Sequence, residues 1–394
     1  MVRPVTIEAA CEKLLEALPG PAGDVESLAL PLCLSRVTAV AVLAPTDLPA
    51  FDRSLVDGYA VWCGCPERVR LAGEVTMGRA ADPLPGRDCA VAVPTGGMLP
   101  PGADAVVMQE DVTVVGGWVH IGRTPVPEQN IVRRGADARG GVVVVPAGRR
   151  LRPPEMAMLA TAGATWVEVR RKPRIAVLST GDELVPADRV PGPGQVPDSN
   201  GPALCAALRR DGADPVMLGI AADRRGAVVE AVRRGLQCDA LLCTGGSSVG
   251  ERDYVGVALQ EVLGVPPLFS GISIRPGRPT AAFVAGDRWA VALPGHAVSA
   301  LVVYELLVRE AVLRSGGETS PRPRGAAPAT LAEAVRAPMD RDLLLRVRLE
   351  DGRAVPLQGA SATVGNLARA DGLVRCPAGH ILEAGTRVAV ALLD

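Results

Sequence analysis

The sequence predicts a multidomain protein of the α/β plus β class, with a parallel α/β domain, a β-rich module and a small C-terminal β-barrel or sandwich. The chain of 394 residues is longer than one ordinary domain. Strand-like apolar runs alternate with helix-like segments from about residue 174 onwards, whereas short β-type runs rich in Pro and Gly fill 44–139. A hydrophobic content of 48% is enough to bury several cores.

The alternation after residue 174 predicts a helix-covered parallel sheet. "RIAVLST" at 174–180 is a continuous apolar strand, and "DPVMLGI", "DALLCT" and "WAVALP" follow the same pattern. Helix-like segments lie after these strands, among them "DSNGPALCAALRRDG", for which we expect Ser199 or Asn200 as the N-cap. "DRRGAVVEAVRRG", "DYVGVALQEVLG" and "AVSALVVYELLVREAVL" complete the α/β pattern.

The flanking regions predict further modules. "RVRLAGEV" and "ADAVVMQEDVTVVGGWVHI" are typical of a β-rich module, and "PPEMAMLATAG" of a helix that begins at Pro153-Pro154. "SGGETSPRPRG" at 315–325 indicates a linker before the C-terminal β-module. The N-terminal stretch "MVRPVTIEAACEKLLEALPG" predicts an amphipathic helix ending at Pro19-Gly20, and its acidic residues argue against a signal peptide.

Charge and composition exclude several classes of function. The formal net charge of −1 gives no basic footprint for nucleic acid, and no apolar stretch is long enough to span a bilayer, so neither partner is expected. Nine dispersed cysteines, with only Cys63-x-Cys65 close together, favour a reducing cytoplasm and no zinc site. Neither Lys13 nor Lys172 follows a P-loop, and the G-x-G-x-x-G motif of a dinucleotide fold is absent.

Polar turns follow the predicted strands where a parallel sheet binds its ligands. "STGDEL" follows the first strand, Asp223 the second and "TGGSSVGERDY" the third, with "IRPGRP" and "LPGHAVSA" later. Gly-rich turns at helix N-termini suit phosphate, neighbouring carboxylates suit Mg²⁺, and Arg275 and Arg278 suit anionic oxygens. The set predicts a site for a phosphorylated small molecule with a metal ion.

Each of these features taken alone also has a structural interpretation. "GGSSVG" is compatible with a tight turn, Asp182 and Glu183 with the start of a helix, and the two arginines with an ordinary surface. His296 suits a capping role as well as a ligand role. For His120 and His380, which lie in glycine-flanked β-type segments, we expect structural roles.

Seven motifs occur in one order: "FDRSLVDGYAV", "PTGGMLPPGADAVVMQED", "NIVRRGADARGG", "VLSTGDEL", "CTGGSSVGERDY", "IRPGRPTAAF" and "LPGHAVSALV". By these motifs, and by "NLARADGLVRCPAG" in the C-terminal module, the chain resembles the molybdopterin molybdotransferases, the family of bacterial MoeA and of the gephyrin E domain. The resemblance implies an elongated homodimer. The implied parts are an N-terminal helix (1–20) packed on the α/β domain, a linker module (21–43 and 140–173), a β-rich module (44–139), an α/β molybdopterin-binding domain (174–315) and a C-terminal β-barrel (320–394).

The activity implied by the resemblance belongs to molybdenum cofactor biosynthesis in the cytoplasm. It is the insertion of molybdate into adenylylated molybdopterin, with Mg²⁺-dependent release of AMP. The active site would lie at the subunit interface, between the α/β domain of one chain and the β-rich module of the other. The adenylylating enzyme of the same pathway and acceptor molybdoenzymes are implied as further partners.

The resemblance also assigns residues. It implies catalytic roles for Asp57, Thr95, Asp137, Glu183, Asp223 and Asp253, with Glu183, Asp223 and Asp253 handling the metal. It implies substrate binding by Thr180, Gly181, Asp182, Asn200, Thr244, Gly245, Gly246, Ser247, Ser248, Gly250, Arg275, Pro276, Gly277, Arg278, Pro294, Gly295, His296 and Ser299. Among these, Arg275, Arg278 and Ser299 are expected to hold molybdate.

The chain departs from the family pattern at three places. "RPGRP" replaces the usual Lys-Pro-Gly-Lys-Pro and keeps both charges, and Val56 stands where methionine is common. His296-Ala297 replaces the usual Asn-Pro, which loosens a turn and adds a titratable group. Two alternatives stay open: a non-catalytic scaffold on the same fold, and a pterin-nucleotide hydrolase that releases AMP without molybdate.

Overall fold

A β-sheet flanked by helices forms the middle of the chain in the computed structural model, which describes residues 4–21, 23–245, 254–320, 324–357, 359 and 363–393. Its strands are β1 (Arg174–Thr180), β2 (Asp214–Ala221), β3 (Ala240–Thr244), β4 (Phe269–Ser270), β5 (Ala281–Ala285) and β6 (Arg288–Leu293).

The strand order in this sheet is β2-β1-β3-β6-β5-β4. The predicted parallel arrangement is confirmed for β2, β1, β3 and β6. β5 and β4 extend the sheet in the antiparallel sense, which was not predicted. The reason is local, because Gly286-Asp287 joins β5 to β6 as a two-residue hairpin turn in which Ala285 pairs with Arg288.

The side chains of β1 enter two cores, one on each face of the sheet. Ile175 and Val177 lie in the core shared with the N-terminal helix, whereas Ala176 and Leu178 lie in the core on the other face. Because successive strand residues point to opposite faces, a strand covered on both sides is apolar throughout. The covering helices are Asn200–Arg210, Arg225–Gly235, Tyr254–Leu263 and a continuous segment made of Ala297–Val303, the π-helical Tyr304–Val308 and Arg309–Ser315.

The helix Asn200–Arg210 begins at the predicted N-cap, but another side chain makes its capping hydrogen bonds. Ser199 holds the N-cap position, but its side chain makes no capping hydrogen bond. Instead Oδ1 of Asp198 accepts the backbone N–H groups of Asn200 (3.1 Å) and Gly201 (3.0 Å). The predicted N-cap position of Ser199 is therefore confirmed, but the capping hydrogen bonds come from the carboxylate one residue earlier, whose charge matches the positive end of the helix.

The N-terminal helix runs over Ile7–Ala17 and packs on the α/β domain. Thr6 caps it, since its Oγ1 accepts the N–H of Ala9 at 3.2 Å. Ala10 and Leu14 on its inner face are fully buried in the core that contains β1. The helix ends two residues before the predicted Pro19-Gly20.

The β-rich module and the linker module precede the α/β domain. The sheet of the β-rich module has the spatial order Ala105–Met108, Gly58–Val61, Cys89–Val93, Arg68–Glu74, Trp118–Ile121 and Val112–Val115. In the linker module Val25–Ala29 pairs with Trp166–Arg170, and Val42–Leu43 with Val143–Val145. Its helix Pro153–Thr161 begins at the predicted proline pair. Short elements in these two modules are Leu30–Leu32, Arg53–Ser54, Gln109–Asp111 and Ile131–Val132.

The C-terminal module is a closed barrel. Its strands, in the order in which they pair around the barrel, are Asp342–Glu350, Arg353–Pro356, Ala326–Leu331, Arg387–Leu392 and Gly372–Cys376, and the last pairs back with the first. The strand Ile274–Arg275 lies in the segment of the α/β domain, and it pairs in parallel with the barrel strand Asp342–Glu350. Smaller elements are Leu184–Val185, Val196–Pro197, Val335–Arg336, Ile381–Leu382 and the helix Val364–Ala368. In the described part of the chain we find no helix with the length and apolar character that a membrane span needs.

Candidate functional site

A cleft of about 1020 Å³ opens beyond the carboxyl ends of β1, β2, β3 and β6, between the α/β domain and the barrel. This is the edge at which the sequence predicted a site, because the turns after parallel strands meet there. The predicted site residues that line the cleft are Thr180, Glu183, Asn200, Asp223, Thr244, Gly245, Arg275, Pro276, Gly277, Arg278, Pro294, Gly295, His296 and Ser299.

One wall of the cleft carries carboxylates. Glu183 lies in the turn after β1, and Asp223 lies just before the helix Arg225–Gly235. The N–H of Asp223 donates to Oδ1 of Asp182 at 3.0 Å, which ties the turn after β2 to the turn after β1. Gly181 and Asp182 themselves line a neighbouring cavity instead of the cleft.

The floor of the cleft is backbone packed so closely that it needs glycine. Gly245 follows β3 with φ +86°, and a Cβ at this position would lie 2.1 Å from the carbonyl oxygen of Thr180. Gly295 approaches Gly245, and its carbonyl oxygen accepts a hydrogen bond from Nδ2 of Asn200 at 2.7 Å. The turns after β1, β3 and β6 are thus fixed against one another.

Another part of the cleft lining carries guanidinium groups from two domains. Arg275 and Arg278 come from the "RPGRP" segment, and Nη1 of Arg278 lies 3.8 Å from Oδ2 of Asp340. Ser299 is buried in the first turn of the helix that His296 precedes as N-cap, while His296 is exposed to the cleft.

The barrel adds three arginines that the sequence analysis missed: Arg336, Arg341 and Arg346. Burial lowers the pKa of Arg346, whose Nη2 donates to the carbonyl oxygen of Gly359 at 2.9 Å, while its Nε finds no acceptor among the described residues. A half-buried, partly satisfied cation of this kind favours binding of an anion. The sequence held only one signal for it, a run of arginines within an apolar strand, "RDLLLRVRL".

Three predicted residues of the β-rich module do not line this cleft. Asp57 and Thr95 are brought together, because Oδ1 of Asp57 accepts the backbone N–H of Thr95 at 2.7 Å and its Oγ1–H at 3.1 Å. Asp137 is exposed, and its backbone N–H donates to the carbonyl oxygen of Leu48. The five predicted residues Gly246, Ser247, Ser248, Gly250 and Asp253 lie outside the described residues.

The described residues contain no cluster of three or more His, Cys, Asp or Glu side chains that would hold a metal ion unaided. Glu183 and Asp223 nevertheless share one cleft, and two carboxylates beside an anion site form the donor set that Mg²⁺ uses together with substrate phosphates. The residues present therefore fit a magnesium ion held jointly by protein and ligand.

Fold and site together define an α/β protein with a cleft lined by carboxylates and arginines, to which a β-barrel contributes. Residues 5–163 match the MoeA N-terminal region (domain I and II), 176–315 a probable molybdopterin binding domain, and 328–393 the MoeA C-terminal region (domain IV). The chain belongs to the MoeA family.

Curated relatives and solved structures agree with this assignment. The chain is 34% identical over 319 residues to a molybdopterin molybdenumtransferase of Haemophilus influenzae, covering 80% of this chain and 78% of the relative. A Bacillus subtilis protein of the same name is 34% identical over 300 residues, covering 73% and 70%. The crystal structure of a molybdopterin biosynthesis MoeA protein from Pyrococcus horikoshii superposes with a TM-score of 0.79 at 32% identity, covering all of both chains.

Proposed function

We propose that this chain is a molybdenumtransferase that inserts molybdate into adenylylated molybdopterin and releases AMP. The observation that carries the proposal is the cleft itself. One wall presents the carboxylates of Glu183 and Asp223, and the other presents the guanidinium groups of Arg275, Arg278 and Arg346. A substrate with phosphates and a second, oxyanionic substrate need both kinds of group in one place.

The arginine wall is suited to molybdate as substrate. Guanidinium groups are planar, always charged and less strongly hydrated than ammonium groups, so they bind a tetrahedral oxyanion through paired N–H donors. Arg275 and Arg346 approach from different domains, because the strand Ile274–Arg275 pairs with the barrel strand that carries Arg346. Ser299 and His296 add donors at the start of the neighbouring helix.

We propose that Glu183 and Asp223, with Asp253, hold Mg²⁺ together with the substrate phosphates. When bound, the ion would neutralise phosphate charge at the bond that AMP release breaks. The closely packed backbone of Gly245 and Gly295 would form the floor against which the ligand lies, and Asn200 fixes that backbone by its hydrogen bond to Gly295.

We propose further that the working unit is a cytoplasmic homodimer in which Asp57, Thr95 and Asp137 of one chain complete the cleft of the other. Their position on the β-rich module, away from the cleft of their own chain, supports this proposal, as does the mutual hydrogen bonding of Asp57 and Thr95. The adenylylating enzyme and acceptor molybdoenzymes would be transient partners.

The test measures AMP release by the purified protein from adenylylated molybdopterin with Mg²⁺, with and without molybdate, and reconstitution of an apo-molybdoenzyme in the same samples. We expect molybdate-dependent AMP release together with reconstitution. Release without dependence on molybdate would replace the proposal by a pterin-nucleotide hydrolase. No release from folded protein would favour the non-catalytic scaffold.

Two matched pairs of variants test the assignment of the walls. Glu183→Gln should abolish insertion, whereas Glu230→Gln, an exposed change in the same domain, should leave it unchanged. Arg346→Gln should weaken molybdate binding about 10- to 100-fold, the loss expected for a charge-assisted contact. Arg348→Gln, in the same strand but outside the cleft, is its control. Equal molybdate affinity in both arginine variants would refute the role of the barrel wall.

A further inference from the structure

A second cavity, of about 700 Å³, lies behind the turn that follows β1. Gly181 and Asp182 face this cavity, Glu183 faces the cleft, and Leu184 lines both. A single turn of chain thus separates the two spaces. The volume is within the range of pockets that hold small organic ligands.

The wall of this cavity contains a buried carboxylate with one unsatisfied oxygen. Asp198 is 2% exposed, and its Oδ1 accepts two backbone N–H groups at the start of the helix Asn200–Arg210. Its Oδ2 is buried and has no hydrogen-bond partner in the described part of the chain. Because capping uses Oδ1 alone, Oδ2 keeps two lone pairs for a donor from outside the protein.

A flexible apolar side chain lies near this oxygen. A Cβ placed on Gly201 would lie 2.7 Å from Oδ2 of Asp198 and 2.8 Å from Cε of Met217, so the two atoms flank the same point. Met217 is 51% exposed and lines the cavity together with Asp198. Its thioether is flexible and makes favourable contacts with aromatic rings.

Most of the remaining lining is apolar. Leu184, Pro186, Pro202 and Ile220 line the cavity together with Met217, and the exposed carboxylates of Asp182 and Asp188 lie at it as well. A mostly apolar lining with one buried acceptor suits a planar heterocycle that carries adjacent N–H donors at one edge. The 2-amino-4-oxopyrimidine ring has such an edge, formed by the ring N–H and the exocyclic amine.

We propose that this cavity binds the pterin ring of the substrate, with Oδ2 of Asp198 accepting N–H groups from its aminopyrimidinone edge and Met217 packing on the ring. This inference rests on the proposed function for the identity of the ligand. The shared turn at Leu184 lets one molecule place its ring behind the turn and its phosphates in the cleft. Asp198 then has two tasks, since it caps a helix and selects the heterocycle.

The test uses neopterin, a pterin without phosphate or dithiolene, as the probe of the cavity and AMP as the probe of the cleft. Binding of each to the full chain is measured by calorimetry for wild type, Asp198→Asn and Asp188→Asn. Asparagine keeps an oxygen that can accept the capping hydrogen bonds, but it puts an amide NH2, which is a donor, in place of the acceptor Oδ2. Asp188 is an exposed carboxylate at the same cavity, so its variant controls for the lost charge.

We expect Asp198→Asn to weaken neopterin binding about 10- to 100-fold and Asp188→Asn to leave it within about twofold, with AMP binding unchanged in both. Equal neopterin affinity in all three proteins, or no saturable binding to wild type, would overturn the proposal. Thermal unfolding of Asp198→Asn shows whether the helix cap is intact, and Met217→Ala gives a second variant with the cap untouched, for which we also expect weaker neopterin binding.

Guanosine carries the same aminopyrimidinone edge, so its binding is measured in the same way to distinguish a pterin site from a guanine site. Guanosine binding as tight as that of neopterin, and equally dependent on Asp198, would overturn the pterin assignment. Failure of molybdenum insertion by a protein that binds neopterin through Asp198 would refute the proposed function alone. Normal insertion without any effect of Asp198→Asn on neopterin would refute the cavity assignment alone.

Discussion

Replacement of Gly245 by alanine should damage the floor of the cleft by steric overlap, without the loss of any side-chain contact. The added Cβ would lie 2.1 Å from the carbonyl oxygen of Thr180 and 2.8 Å from its Oγ1. An approach below 3.0 Å essentially never occurs, so the turns after β1 and β3 must separate by at least 0.9 Å. A non-glycine residue at φ +86° adds about 1–2 kcal/mol of backbone strain, and the overlap adds about 1–3 kcal/mol.

Gly219→Ala is the matched control for this substitution. Gly219 lies in β2 of the same sheet with φ +83°, and a Cβ there would meet no heavy atom within 4 Å. Its replacement should therefore cost only the backbone strain of about 1–2 kcal/mol. The difference between the two variants isolates the steric clash.

The assay is urea unfolding followed by the fluorescence of Trp289, in a background where the other three tryptophans are replaced by phenylalanine. Trp289 is 1% exposed, and its Nε1 donates to Oγ of Ser315 at 3.0 Å, so it reports on the core of the α/β domain. We expect Gly245→Ala to lose about 2–5 kcal/mol of unfolding free energy. A loss no greater than that of Gly219→Ala would refute the close-packing argument.

Two further predictions concern the edges of the molecule. Leu14→Ala, at a fully buried position of the N-terminal helix, should cost about 2–5 kcal/mol in urea unfolding. The exposed neighbour Glu12→Ala should cost almost nothing, and equal losses would contradict the packing of this helix. Burial alone would raise the pKa of Glu155, but hydrogen bonds from Arg152 and Arg149 outweigh it and lower that pKa from 4.5 to about 2. The stabilisation by Glu155 is therefore present above pH 4.5 and lost as the pH falls towards 2, so the Tm difference between wild type and Glu155→Gln should shrink over that window; a constant difference would contradict it.

The α/β domain could be predicted because its signals are local. Four apolar runs predicted the parallel strands, and the turns after them, which contain glycines and carboxylates, predicted one wall of the cleft. The antiparallel strands β4 and β5 were missed because the two-residue turn at Gly286-Asp287 carries too little sequence to oppose the α/β pattern.

The other wall of the cleft was only half predictable. Arg275 and Arg278 lie in a recognisable motif, whereas Arg336, Arg341 and Arg346 come from the barrel, more than 50 residues further along the chain. Their position in the cleft depends on how two domains meet, which no short stretch encodes. The capping hydrogen bonds of the helix Asn200–Arg210 were missed for a local reason, because Asp198, one residue before the predicted N-cap, reaches the N–H groups instead.

The pairing of Ile274–Arg275 with Asp342–Glu350 has a consequence for recombination between relatives. Ile274 lies opposite Asp342 and Arg275 opposite Leu343, so two main-chain segments from different domains share one ladder. A chimera that exchanges the barrel alone would join a foreign strand to a native partner and shift the spacing of the guanidinium groups. The crossover point that preserves the cleft lies before residue 274, so that the "RPGRP" segment and the barrel are inherited together.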